Sequence, residues 1–209
     1  MNIHSLFAGK PAPFGPRGAP SSIIKHPVSS IRVHKTHTDE DEQGNKKLHG
    51  GPEKVLHQYS LQGYELLNDH FPHGAFAPGS IGENLLVAEM TDNNVYIGDI
   101  YQIGKVQVQV CAPRAPCNKI SQRYDIRNLD RFVAEHGITG WYYRVIQTGT
   151  LFEMDEVIRI SRPDTTLSVA TLTKGLKLKD ADIARQGEAL AELDPEWRQK
   201  CARVIAAAS

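Results

Sequence analysis

Apolar and polar residues alternate through much of the first three quarters of the chain. Val106, Val108 and Val110 alternate with Gln107 and Gln109, the period of a half-buried strand. Residues 30–36, Ser-Ile-Arg-Val-His-Lys-Thr, alternate in the same way. Residues 1–9, 85–87, 95–97, 100–103 and 156–160 are further strand candidates, several of them parted by Gly and Asn/Asp turns. Residues 10–20 are rich in Pro and Gly and are expected to form a loop. Residues 57–71 read as an amphipathic helix that puts Tyr59, Leu66, Leu67 and Phe71 on one face and ends at Pro72. A short helix is expected over 130–135, closed by Gly137. Residues 140–145 fit either helix or strand.

The texture changes after Arg162-Pro163. Residues 168–174 and 180–190 read as helices, and Asp194-Pro195-Glu196 is a strong helix start, with Asp as N-cap and Pro in the first turn. Trp197, Cys201, Val204 and Ile205 follow at helical spacing. The expectation is a mixed α/β fold, mainly β: a β-rich domain over residues 1–163, then a small three-helix C-terminal domain over 164–209.

Composition narrows the function classes. Of the 209 residues, 40% are hydrophobic, enough for a core. Basic and acidic residues number 24 each, so no global field attracts nucleic acid or a membrane surface. Three scattered cysteines make no disulfide framework and fit a reducing, cytoplasmic setting. The first residues lack a basic, apolar leader pattern, and no run approaches the ~18 apolar residues of a spanning helix.

The chemistry concentrates in the run Cys111-Ala-Pro-Arg-Ala-Pro-Cys117-Asn-Lys119. Two prolines stop the preceding strand and stiffen the turn. Cys117 leaves that turn between Arg114 and Lys119, and nearby positive charge favours the thiolate, which binds metal or attacks electrophiles. Cys111 extends the strand pattern and Cys201 lies on the apolar helix stripe, so both read as core. The segment 43–51 joins Lys47 and His49 to three glycines, a cationic loop open to close backbone approach, although it also reads as a basic surface turn. Asn84 after Gly82-Glu83 can simply cap a turn, Gly98-Asp99 can be a hairpin turn, and Arg144 beside Trp141-Tyr142-Tyr143 can pair with a phosphate. The acidic run 39–43 reads as a solvated turn.

Taken in order, these segments resemble the MOSC domain, named for the C-terminal part of molybdenum cofactor sulfurase. The residues carrying the resemblance are Gln43-Gly44, Lys47, His49-Gly50-Gly51, Gly82-Glu83-Asn84-Leu85, residues 94–99, Pro113-Arg114, Pro116-Cys117, Lys119 and Gly140-Trp141-Tyr142. The likeness is nearest to the YiiM-like branch, and the tail is similar to that branch's three-helix appendage. The resemblance implies a β-barrel domain binding molybdenum cofactor (Mo-molybdopterin), with Cys117 as the metal's protein ligand. It implies reduction of N-hydroxylated compounds, such as hydroxylaminopurines, to amines. Lys47, His49, Asn84, Arg114, Lys119 and Arg144 are then expected around the cofactor, and Asp99 or His49 as proton relay. A soft thiolate suits a transition metal held by sulfur, and cations suit a phosphate tail. No nucleotide-binding glycine motif or iron–sulfur cysteine set appears, so electrons are expected from a separate reductase. The tail is expected to dock on the barrel, on a second subunit in a homodimer, or on that donor.

Three other readings compete. Cys117 can carry a persulfide for metal–sulfur cofactor assembly. It can act as nucleophile of a hydrolase, with His49 as base and Asn84 as orienter. The helical tail can serve a nonenzymatic interaction module.

Overall fold

The computed structural model describes residues 1–44, 50–165 and 167–208. The strands described are β1 (Ile3–Ala8), β2 (Ala12–Phe14), β3 (Ala19–Ser21), β4 (His26–Pro27), β5 (Ser30–Val33), β6 (Leu56–Tyr59), β7 (Leu85–Val87), β8 (Ile100–Ile103), β9 (Val106–Pro113), β10 (Trp141–Gln147), β11 (Gly149–Phe152) and β12 (Val157–Ser161). The α-helices are α1 (Leu61–His70), α2 (Lys119–Tyr124), α3 (Leu129–His136), α4 (Val169–Lys177), α5 (Ala181–Ala189) and α6 (Pro195–Ala208). The fold is mixed α/β, as the periodicity predicts.

One large sheet runs in the order β12-β8-β9-β10-β6-β7-β1-β4. Its pairs are antiparallel except β6 with β7. Of the expected β-barrel, the described strands show the large sheet but no closed ladder, which ends at β12 on one side and β4 on the other. The chain entering β12 nevertheless meets the start of β1. Asn2 bridges Glu156, and the Val157 N–H donates to the Met1 carbonyl at 2.8 Å. The sheet therefore curls until the chain at β12 meets the chain at β1 through isolated bonds.

Several local expectations change for physical reasons. The proposed helix from residue 57 begins at Leu61: Ser60 caps it by accepting from the Gly63 N–H, and residues 56–59 belong to β6. All four residues of β6 are buried, so no alternation marks it as a strand. The Pro/Gly run 10–20 carries the small hairpin β2–β3. Residues 95–97 join no ladder, and Tyr96 makes only an isolated bridge to Ser168. Residues 140–145 resolve as strand. Strand β9 continues through Pro113, which stands opposite Trp141 at the end of the pairing.

Helix α4 is capped by Ser168 and α5 by Asp180. These helices do not pack only on each other. Leu172, Ala184, Leu193, Trp197 and Cys201 lie in the same hydrophobic cluster as Val108, Trp141 and Tyr143 of the sheet. A second cluster, built on Tyr59, Leu67, Leu86, Ile120 and Val133, seats α1, α2 and α3 against β6 and β7.

Candidate functional site

Strands β6, β9 and β10 set the site by register. His57 of β6 stands opposite Tyr142 of β10, and Tyr142 stands opposite Ala112 of β9. The next pair on β10 is Tyr143 with Val110, so Cys111 is the extra residue of a bulge. Residues directly opposite share a sheet face, which puts His57 and Tyr142 side by side with ring centroids 5.4 Å apart. Past Pro113 the chain leaves the sheet, and the Arg114 N–H donates to the Gly140 carbonyl at 2.9 Å. Gly140 has φ +68°, and a Cβ there would run into the Gln58 carbonyl and come within 2.8 Å of the His57 ring. Glycine is what that junction admits.

A solvent-open pocket of about 590 Å³ lies over this junction. Cys117, Arg114, Lys119, Asn84, His57, Tyr142, Lys25, Asp41 and Lys54 line it. Cys117 is partly exposed, whereas Cys111 and Cys201 are buried. Burial pushes the Cys111 thiol far above its ordinary range and the Cys201 thiol up to about 11.

The pocket's cations differ in what holds them. Lys25 pairs with Asp41 at 2.7 Å, and the other Asp41 oxygen accepts from the Gly9 N–H. Lys54 pairs with Glu196 of α6 at 2.7 Å, and Lys119 donates to the Pro20 carbonyl. Arg114 is 5% exposed, its Nη1 has no hydrogen-bond partner, and no carboxylate pairs with it among the described residues. A buried guanidinium with an idle donor is costly unless an acceptor arrives from outside the chain.

The structure gathers part of the predicted set. Cys117, Arg114, Lys119 and Asn84 meet in the pocket. Asn84 braces it: its Oδ1 accepts from the His57 N–H at 3.0 Å, and its Nδ2 donates to the Phe7 carbonyl at 3.3 Å. Asp99 and Arg144 stand apart from it. Asp99 is fully buried and accepts from Arg162 Nε and Nη2, each at 2.7 Å, from the Tyr96 N–H and from the Tyr101 hydroxyl. Arg144 pairs with Glu53 and donates to Gln109 and to the Glu192 carbonyl. Lys47 and His49 lie outside the described residues, while Gln43 and Gly44 just before them line the pocket. Sequence reasoning missed Lys25, Asp41, Lys54, His57 and Tyr142 as site residues. For His57 the available signal was a lone imidazole in an otherwise core-like segment, Val55-Leu56-His57-Gln58-Tyr59.

Two buried groups near the junction titrate in opposite senses. Burial, then the Arg114 and Lys25 charges, hold the His57 imidazole well below its ordinary 6.5, so it stays neutral at neutral pH. Asp92 accepts from the Gly140 N–H at 2.7 Å and from the Ser60 hydroxyl, yet burial raises its carboxyl from 3.8 to about 6. As pH falls below 6.5, the unfolded chain protonates this histidine first and the folded state loses stability. Between about 6 and about 4 the folded chain protonates Asp92 first and gains stability, by about 3 kcal/mol from a carboxyl raised from 3.8 to about 6. The two effects offset in the native chain. Asp92→Asn is expected to remove the gain, so that urea stability falls more steeply from neutral pH to about 4. Equal slopes in variant and native protein would refute the assignment.

Residues 45–159 match the MOSC domain family. Protein YiiM of Escherichia coli is 37% identical over 137 residues, 64% of this chain and 61% of that protein, so the match spans less than two thirds of that relative. Uncharacterized protein YflK of Bacillus subtilis is 30% identical across 80% of this chain and 77% of its own length. A protein named Reductase from Gibberella moniliformis is 31% identical over 65% of this chain, a stretch making up 25% of that protein. The crystal structure of YiiM from Geobacillus stearothermophilus superposes with a TM-score of 0.81 over 98% of both chains, at 25% identity. With a family match covering more than half of its residues, and YiiM proteins among its relatives in sequence and in structure, the chain belongs to the MOSC domain family.

Proposed function

We propose that the pocket binds molybdenum cofactor, with Cys117 as the protein ligand to the metal, and reduces N-hydroxylated compounds such as hydroxylaminopurines to amines. One observation carries this reading: the partly exposed thiol and the buried guanidinium of Arg114, whose Nη1 has no partner among the described residues, line the same pocket. The residues fit the group. A thiolate is a soft donor suited to a transition metal, and Arg114, with Lys25, Lys54 and Lys119 near it, suits a phosphate-bearing tail. The match to part of a protein named Reductase supports a redox role.

When bound, the cofactor supplies the oxygen-accepting, two-electron chemistry of R–NHOH + 2 e⁻ + 2 H⁺ → R–NH₂ + H₂O. The chain's own part is positional and electrostatic. Arg114 offers Nη1 to an anionic oxygen, and its burial excludes competing water. His57, held neutral by burial and by the Arg114 and Lys25 charges, can hydrogen-bond a bound group without adding charge, and would hold a proton only in passing. It replaces Asp99 in that role, because the Asp99 carboxylate is taken up by Arg162 and Tyr101. The electrons come from a separate reductase.

The test is purification from hosts with and without the cofactor pathway, followed by molybdenum analysis, pterin fluorescence and an anaerobic assay with a chemical reductant. About one molybdenum and one pterin per chain, with conversion of a hydroxylaminopurine to the aminopurine, is the expected result. Folded protein from the competent host that holds neither and reduces nothing would sink the reading. Arg114→Ala is expected to cut cofactor occupancy at least tenfold, since a charge-assisted hydrogen bond is worth about 1.5–3 kcal/mol. Arg114→Lys is expected to restore little of it, because a point charge does not reproduce the fork. Unchanged occupancy in both variants would move the anion elsewhere.

A persulfide-carrier role keeps one support, the single partly exposed cysteine, and predicts cyanide-labile sulfur on Cys117 instead of bound metal. The hydrolase reading has none, since the Asn84 amide already braces His57 and Phe7.

A further inference from the structure

Outside the pocket, one group of side chains has no role in the function proposed above. We infer that His34, His37 and Asp39 form a binding site for a divalent transition metal, with Zn²⁺ the best match to the donors. Among the described residues this is the one group of three His, Cys, Asp or Glu side chains whose ligand atoms converge, all within 4.8 Å of one another.

The backbone sets the three donors before any ion arrives. Strand β5 ends at Val33, the His34 N–H donates to the His37 carbonyl at 2.9 Å, and Val33 bridges Thr38. The Asp39 N–H returns to the Arg32 carbonyl at 3.1 Å. This closed turn holds the two imidazoles parallel, with centroids 4.5 Å apart and planes at 13°. Both rings aim Nε2 at the same oxygen, Asp39 Oδ1, from 2.9 and 3.9 Å. A single proton can satisfy the first approach and leaves the second, at 3.9 Å, too long for a hydrogen bond. A metal ion satisfies all three at once.

Two imidazoles and a carboxylate are borderline donors that suit Zn²⁺ at about 2.0–2.1 Å, with water in the fourth position. Tetrahedral bonds of that length separate their ligands by about 3.3 Å, within reach of small side-chain rotations from the observed spacings. The neighbouring charges favour a cation. Glu40 lies alongside, accepting from the Arg32 N–H, and Lys35 is drawn away to the carbonyls of Val145 and Ile146 on β10. Asp41, two residues past Asp39, holds Lys25 in the pocket wall. An ion at the turn therefore pins the segment that leads into the pocket.

The experiment titrates chelator-treated protein with Zn²⁺ alone in a Cys117→Ser background, which removes the pocket thiol. Calorimetry gives stoichiometry, and Co²⁺ substitution gives a visible spectrum. The expected result is one saturable equivalent, a tetrahedral cobalt spectrum without thiolate charge transfer, and affinity reduced roughly tenfold or more in His34→Ala, His37→Ala and Asp39→Asn. Melting curves of these variants without metal should overlay the parent, since the three side chains are 36–59% exposed. Absence of saturable binding, or binding unchanged in both histidine variants, overturns the site.

Discussion

Cys117→Ser is expected to abolish N-hydroxy reduction, by at least about 10³-fold, and to strip the bound molybdenum while leaving the protein folded. A hydroxyl is a hard donor with a far higher pKa than a thiol, so it does not substitute at a soft metal. The residue is partly exposed and carries no core packing, so the expected stability change stays within about 0.5 kcal/mol. Cys111→Ser and Cys201→Ser invert this profile. Cys111 donates to the Glu53 carbonyl, a bond that serine can keep, while Cys201 sits in the apolar cluster of α6. The second change is expected to cost about 1–3 kcal/mol by burying a hydroxyl without a new partner, and neither to change the reaction itself. Metal content, turnover and melting curves on the three variants separate the cases. Full turnover in folded Cys117→Ser protein would end the metal-ligand assignment.

Asp99→Ala is expected to be the most damaging single change to stability, at about 3–5 kcal/mol, a fall in Tm of roughly 6–20 °C. The carboxylate is fully buried and accepts from four groups. Its loss leaves the Tyr101 hydroxyl and the Arg162 guanidinium facing an empty space. The double change Asp99→Leu with Arg162→Met should recover much of the loss, because it removes the desolvation cost of the buried carboxylate together with the charge that paired with it. Alkylation of Cys117 should proceed at the native rate in that double variant, since Asp99 lies outside the pocket. A double variant that is stable but has lost molybdenum would return Asp99 to the site.

That pair shows where sequence reading stops. A charged residue at a Gly-Asp turn looks the same whether it faces a ligand or a partly exposed arginine 63 residues away. Asp99 and Arg144 stand in the expected motifs, and each is engaged in an ion pair outside the pocket, with Arg162 and Glu53. Cys117 and Arg114 were legible because proline-bounded chain and local charge mark a rigid, chemically biased turn. His57 was hidden by its neighbours: β6 is buried throughout, so its apolar residues blend into the helical pattern of α1, and only the Ser60 cap separates them. Lys25 and Lys54 come from segments with no pattern of their own, and only the fold brings them to the pocket. The C-terminal helices were readable from their caps and apolar spacing. Their shared core with the sheet was not, because composition says which face is apolar and not what covers it.

The ion pair between Lys54 and Glu196 has a consequence in time. Its partners are separated by 142 residues of chain, which a ribosome takes roughly 7–30 s to add. While the protein is being made, the curled sheet can assemble, yet Lys54 lacks its Glu196 partner until α6 has left the exit tunnel. The pocket's final electrostatics thus wait on α6, whichever order the rest of the fold assembles in.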